Sequence, residues 1–199
     1  MGYSDREMVE VRRIEDQLLM LDKADWLKDE FLTWNWWVLV AFLIIPWLIW
    51  IVVSRRETIV EDLLVGTNIM LITFILDVVG LQLSLWEYPI KLIPLNPRAW
   101  SFDLSMVPVA FMLLYQYFTT WKSYIAALLL MAAMYAFIGE PFSEWVQFVH
   151  YIKWNYFYSF FYYIAAGISV RMIVLKLVAV SKRGTSAKKT SLHRGEENA

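Results

Sequence analysis

The chain has 199 residues, 59% of them apolar and 19% charged, with no cysteine and a formal net charge of −1. Mean hydropathy is +0.48, and 17% of residues are aromatic, including 11 Trp. These values exclude a disordered chain and a disulfide-stapled one, and the missing thiols exclude Cys-ligated zinc, iron–sulfur clusters and cysteine nucleophiles.

In chain order, residues 1–30 carry five basic and nine acidic side chains. Val11, Ile14, Leu18 and Leu21 recur there at steps of three and four, which predicts an amphipathic N-terminal helix within a domain spanning 1–33. Its acidic balance speaks against electrostatic attraction to anionic lipid. The segment lacks an apolar core and a small-residue cleavage site, so no secretory signal peptide is expected.

The apolar excess lies between Phe31 and Ala179. A helix needs about 20 mainly apolar residues to cross a bilayer. Five stretches qualify as spans: 36–53, 63–85, 104–118, 124–138 and 156–178. The expected fold class is therefore all-α, a polytopic membrane helix bundle of about five transmembrane helices over 34–179. The fourth stretch is short and either tilts or extends toward Glu140, with Pro141 closing it. Residues 143–154 are read as a short interfacial helix, with Trp145, Phe148, Val149 and Ile152 facing lipid. The last segment, 180–199, is basic, aperiodic and expected to be a disordered tail.

Counting basic residues in short loops gives eight against five in favour of a cytoplasmic C-terminus, and a tie when the whole N-terminal tail is included. In that orientation Trp34, Trp36, Trp37, Trp86, Trp100, Trp145 and Trp154 fall at the outer surface and Trp121 at the inner one. An aromatic belt that anchors the bundle is the simplest reading; a Trp-lined site for a sugar, lipid headgroup or quaternary ammonium is the sharper one.

Ionisable residues inside spans are costly and mark candidate sites. Asp77 lies about 12 Å deep and Gln116 about 18 Å deep by helical rise, close enough for a water-bridged contact. Arg171 lies about 10 Å from the inner end of its span and is expected to anchor the helix by reaching the headgroups. The outer loops add Glu87, Asp103, Glu140 and Glu144, with Arg98, Lys153 and His150 as ionic partners. No H-E-x-x-H spacing, G-x-S-x-G elbow or phosphate-binding glycine loop occurs, so neither a metal nor a cofactor is expected.

Leu85-Trp86-Glu87-Tyr88-Pro89-Ile90-Lys91-Leu92-Ile93-Pro94, Asp103, Pro108, Tyr115-Gln116-Tyr117-Phe118, Trp121-Lys122, Gly139-Glu140-Pro141-Phe142, Lys153-Trp154 and Tyr158-Ser159 occur in that order. Together they resemble an uncharacterised family of multi-pass membrane proteins of Bacillus and related spore-forming Firmicutes. The resemblance covers about 63–177 and implies a bacterial cytoplasmic-membrane location without supplying a mechanism.

The leading expectation is a non-enzymatic protein that binds an ion, small solute or partner at an outer acidic-aromatic face, through Asp77, Gln116, Glu87, Asp103 and Glu140. One alternative is an intramembrane enzyme acting on lipid or polyprenyl substrates, with Glu140 or Glu144 as base and His150 as acid. Another is a scaffold that recruits a partner through the N-terminal helix. The partners implied are the lipid bilayer and, beyond it, a second copy of the chain or another protein; nucleic acid is not expected.

Overall fold

A computed structural model describes residues 5–95 and 98–196, with side chains described to Lys182. Seven α-helices follow one another: α1 Asp5–Asp25, α2 Trp34–Val53, α3 Ile59–Gln82, α4 Val107–Tyr117, α5 Trp121–Met134, α6 Glu140–Trp145 and α7 Tyr156–Glu196. Two short strands, β1 Trp86–Glu87 and β2 His150–Tyr151, pair antiparallel between α3 and α4 and between α6 and α7.

Four helical stretches are long and apolar enough to cross a membrane: Trp34–Val53, Ile59–Gln82, Trp121–Trp145 and Tyr156–Lys182. The stretch expected at 104–118 differs from them. Its helix α4 has only 11 residues, and eight of these are buried by neighbouring protein. Its start meets the beginning of α2, where Ser101 Oγ donates to Leu39 O over 2.7 Å. Its end meets the end of α2, where Gln116 Nε2 donates to Val53 O over 2.9 Å. A helix enclosed in this way presents little surface to lipid, so it has no need of a long unbroken apolar run.

The expected break at Pro141 is absent. The helix runs from α5 into α6 through a π turn, Tyr135–Gly139, that ends two residues before the proline, with Glu140 N–H donating to Tyr135 O. A second π turn, Phe102–Met106, precedes Pro108 in the same way, with Val107 N–H donating to Phe102 O. A proline inside a helix removes one N–H and crowds the carbonyl four residues earlier; widening the preceding turn relieves the crowding. For Pro108 that carbonyl is Leu104 O, and it instead accepts from the Trp47 indole over 2.9 Å.

The interfacial helix expected at 143–154 does not continue past Trp145, where α6 ends. Of the four residues expected to face outward, Trp145 and Ile152 are exposed, whereas Phe148 and Val149 are buried, with Val146 beside them. Phe148 packs with Phe42 and Phe102. The segment's apolar residues fill a second core beside α2, which outweighs any gain from lying at a surface. The main core joins α3, α4, α5 and α7 through Ile69, Phe111, Leu128, Val170 and Val174. At Gly167 of α7 a Cβ would stand 2.7 Å from Leu128 and 2.8 Å from Phe111. Only glycine lets α7 come that close.

The N-terminal segment is helical as expected, but α1 has no buried residue. It is fixed at its far end, where Asp22, Trp26 and Glu30 reach the loop after β1. At the other end of the chain, α7 continues to Glu196, across the basic stretch read as an aperiodic tail.

Candidate functional site: an acidic and aromatic cavity

The cavity takes shape where α3 ends. Asp77 sits on the buried face of α3 with Thr73 and Gly80. A Cβ on Gly80 would lie 2.1 Å from Trp86, so the indole rests directly on the helix backbone. From there Trp86 Nε1 donates to Asp77 Oδ1 over 3.0 Å and Tyr88 OH donates to the same oxygen over 2.6 Å. Burial, reinforced by the Asp77 and Asp103 charges, pushes the Tyr88 hydroxyl well above its ordinary pKa. Burial also raises Tyr151. Both phenols therefore remain proton-bearing donors.

The strand pair fixes the two outer loops together, with Trp86 opposite Tyr151 and Glu87 opposite His150. Leu85 O accepts from both Ile152 N and Lys153 N. Glu144 Oε1 accepts from Tyr151 N over 3.0 Å, and Glu144 Oε2 accepts a short bond from Tyr156 OH. Trp154 stacks edge-on against Trp86 at 5.2 Å and donates to Ser159 Oγ.

The two π turns supply the remaining carboxylates. Asp103 is the second residue of one, and Glu140 follows the last residue of the other. With Asp77 they line a cavity of about 120 Å³, together with Thr73, Trp86, Tyr88, Phe102, Ser143, Tyr151, Trp154, Ser159, Tyr162 and Tyr163. Among the described residues, no lysine, arginine or histidine lines it. Glu140 Oε1 accepts from Tyr163 OH over 3.3 Å. Asp77 Oδ2, Asp103 Oδ2, Glu140 Oε2 and Tyr162 OH are buried without a hydrogen-bond partner. Of nine such atoms among the described residues, these four belong to residues that line one space.

The expected site residues thus separate. Asp77, Asp103 and Glu140 come together. Glu87 points to solvent, and Glu144 caps the strand instead of lining the cavity. His150 is 64% exposed, 3.8 Å from Glu144, and does not reach the cavity. Of the acid–base pairs expected, Glu140 with His150 therefore has no shared site, while Glu144 and His150 are neighbours at the surface, outside the cavity. Gln116 lies at the opposite end of α4 from Asp103, where its Oε1 accepts from Arg55 N and its amide caps α2. The water-bridged contact expected with Asp77 is not made. Arg98, expected beside the carboxylates, pairs with Asp22 at 2.7 Å.

Arg171 turns inward instead of reaching for headgroups. It is 3% exposed, donates to Phe118 O and Thr119 O over 2.7 and 2.5 Å, and lies 4.1 Å over the Tyr124 ring. The carbonyls left without helical donors at the end of α4 accept its guanidinium N–H groups.

The tryptophans divide in the same manner. Trp37 and Trp121 are exposed. Trp36 and Trp100 donate to the loop carbonyls of Leu92 and Leu95. Trp86 and Trp154 belong to the cavity. Sequence reasoning missed Tyr88, Tyr151, Tyr162 and Tyr163, because tyrosine at a span end has the same signature whether it faces headgroups or a site. Among the described residues no group of three His, Asp or Glu is close enough to hold a metal ion. No protein-family model, no curated protein and no solved structure matches the chain.

Proposed function

We propose that this is a non-enzymatic, multi-pass protein of a bacterial cytoplasmic membrane that binds a small cationic solute in the cavity around Asp77, Asp103 and Glu140. The observation that carries the reading is the surplus of acceptors: three carboxylates with unpartnered buried oxygens and no cationic side chain among the lining residues. Leaving such oxygens unpaired costs about 1–3 kcal/mol each or more, and a bound donor removes that cost.

The proposed topology has five crossings, with α4 as an enclosed fifth helix. The connection from Phe118 to Thr120 between α4 and α5 supports antiparallel neighbours. The cavity then lies on the outer side and the C-terminus in the cytoplasm, as the basic residues favour. The family resemblance supports the bacterial membrane assignment.

The test is thermal unfolding of the purified full chain in nanodiscs against cationic, neutral and anionic small solutes. Saturable stabilisation by cations alone, shifted to higher solute concentration by Asp103→Asn, is the expected result. Stabilisation by neutral sugars alone, or equally by all solutes, refutes the reading.

A further inference from the structure

We propose that the solute is a small organic cation carrying N–H donors, of the alkylammonium or guanidinium class, held between Asp103 and the aromatic wall formed by Trp86 and Trp154. The inference rests on the cation-binding reading above and specifies its chemistry.

Three observations select this class. The first is the separation of the acidic groups. Asp77, Asp103 and Glu140 come from three elements, α3, the π turn before α4 and the start of α6. Among the described residues they do not form a three-membered group that could hold a metal ion. Acceptors spread around a cavity suit a cation whose donors are also spread, and a guanidinium or alkylammonium offers several N–H bonds in different directions.

The second is that donors are short at the most enclosed acceptor. Asp103 is only 6% exposed, its Oδ2 has no partner, and burial, then the Asp77 carboxylate, raise its pKa with no cation to oppose them. Asp77 is better served, by Trp86, Tyr88 and the Arg98 and Ala99 backbone, and Glu140 has the Ser159, Tyr151 and Tyr163 hydroxyls as donors, so Asp103 is the acceptor left for a ligand to satisfy. A quaternary ammonium would bring charge but no proton to that acceptor, whereas an N–H cation brings both.

The third is the wall. Indole faces attract cations best when both are shielded from water, and weakly hydrated organic cations lose least on entering. Trp86 is 6% exposed, and its N–H is already committed to Asp77. The ring therefore acts as a surface and not as a donor. A volume of about 120 Å³ matches about four water-sized groups, the scale of methylammonium, ethylammonium or methylguanidinium.

The experiment is titration of the nanodisc-embedded full chain with methylammonium, methylguanidinium, tetramethylammonium and potassium, read by intrinsic tryptophan fluorescence and by thermal shift. Methylammonium or methylguanidinium is expected to bind saturably and at least about tenfold more tightly than tetramethylammonium, the difference expected from charge-assisted hydrogen bonds. Asp103→Asn is expected to weaken that binding by about tenfold or more. Tyr162→Phe removes the unpartnered hydroxyl while keeping the ring, and is expected to weaken it severalfold; it serves where Asp103→Asn fails to fold. Tetramethylammonium binding as tightly as the N–H cations, or potassium alone binding, overturns the inference and leaves the cation site standing. Unchanged N–H-cation affinity in both variants overturns the assignment of these groups to the ligand. If no cation binds, the inference and the reading beneath it fail together.

Discussion

At the scale of single residues, Asp77 and Asp103 are both buried carboxylates, yet they have opposite relations to their surroundings. Asp77 Oδ1 receives two donors, the Trp86 indole and the Tyr88 hydroxyl; Asp103 Oδ2 has no hydrogen-bond partner among the described residues. Asp77→Ala strands both donors, at about 1–3 kcal/mol each, and should lower the stability measured by thermal or denaturant unfolding by about 2 kcal/mol or more. Asp77→Asn keeps an acceptor in the same place and should remain within about 1 kcal/mol of the parent. An equal loss in the two variants would mean that the charge, not the hydrogen bonds, holds Trp86 in place. Arg171 permits a parallel comparison. Its guanidinium satisfies two carbonyls beyond α4 in fixed directions and lies over Tyr124. Arg171→Lys supplies charge without the planar fork, and so should recover less than half of the roughly 1.5–3 kcal/mol lost in Arg171→Met.

At the scale of elements, hydropathy located four helices because each is long and apolar enough to cross a membrane. It could not separate α4 from them, since an enclosed helix and a lipid-facing one are both apolar. Pro141 misled more seriously. It looks like a helix end, whereas the preceding π turn accommodates it, as a second π turn does Pro108, and the two turns place Glu140 and Asp103 at the cavity. The two-residue strands had no periodicity from which to be read, and so the meeting of Trp86 with Tyr151 was illegible. The convergence of Asp77, Asp103 and Glu140 was legible because span ends on one side of a bilayer must lie at similar depth. The close seat of Trp86 on Gly80 yields a prediction of sign. Alanine is a better helix former than glycine by about 1 kcal/mol. Gly80→Ala should nevertheless destabilise, because its Cβ meets the indole ring at 2.1 Å. Gly139→Ala is the control, with its nearest atom outside the helix's immediate neighbours a backbone oxygen at 3.7 Å. That variant should be neutral or gain up to about 1 kcal/mol. Thermal unfolding of the two variants side by side decides the matter, and a stabilised Gly80→Ala would show that Trp86 is free to move.

At the scale of the whole molecule, the loop that carries Trp86 and Tyr88 into the cavity is clamped farther along by the N-terminal segment. Lys91 Nζ lies 3.0 Å from Asp22 and 3.1 Å from Glu30, with its side chain only 7% exposed. Its backbone N–H donates to Glu30 Oε2 over 2.6 Å, and its carbonyl accepts from Trp26 Nε1. Arg98 completes the network through Asp22. The clamp therefore belongs to residues 22–30, while most of α1 contributes no buried surface. This division separates two kinds of change. Removing residues 1–20 should leave unfolding temperature and loop protection unchanged, because no clamp residue is lost. Lys91→Met fits the stem but leaves Glu30 buried without its cation, a loss of about 3–5 kcal/mol for a broken buried pair. Hydrogen exchange across 86–95 should rise in Lys91→Met and stay at the parent level in the truncated chain. Since Tyr88 and Lys91 share that short loop, solute affinity should fall with protection. Loss of protection on removing 1–20 alone would instead assign the hold on the cavity to the exposed length of α1.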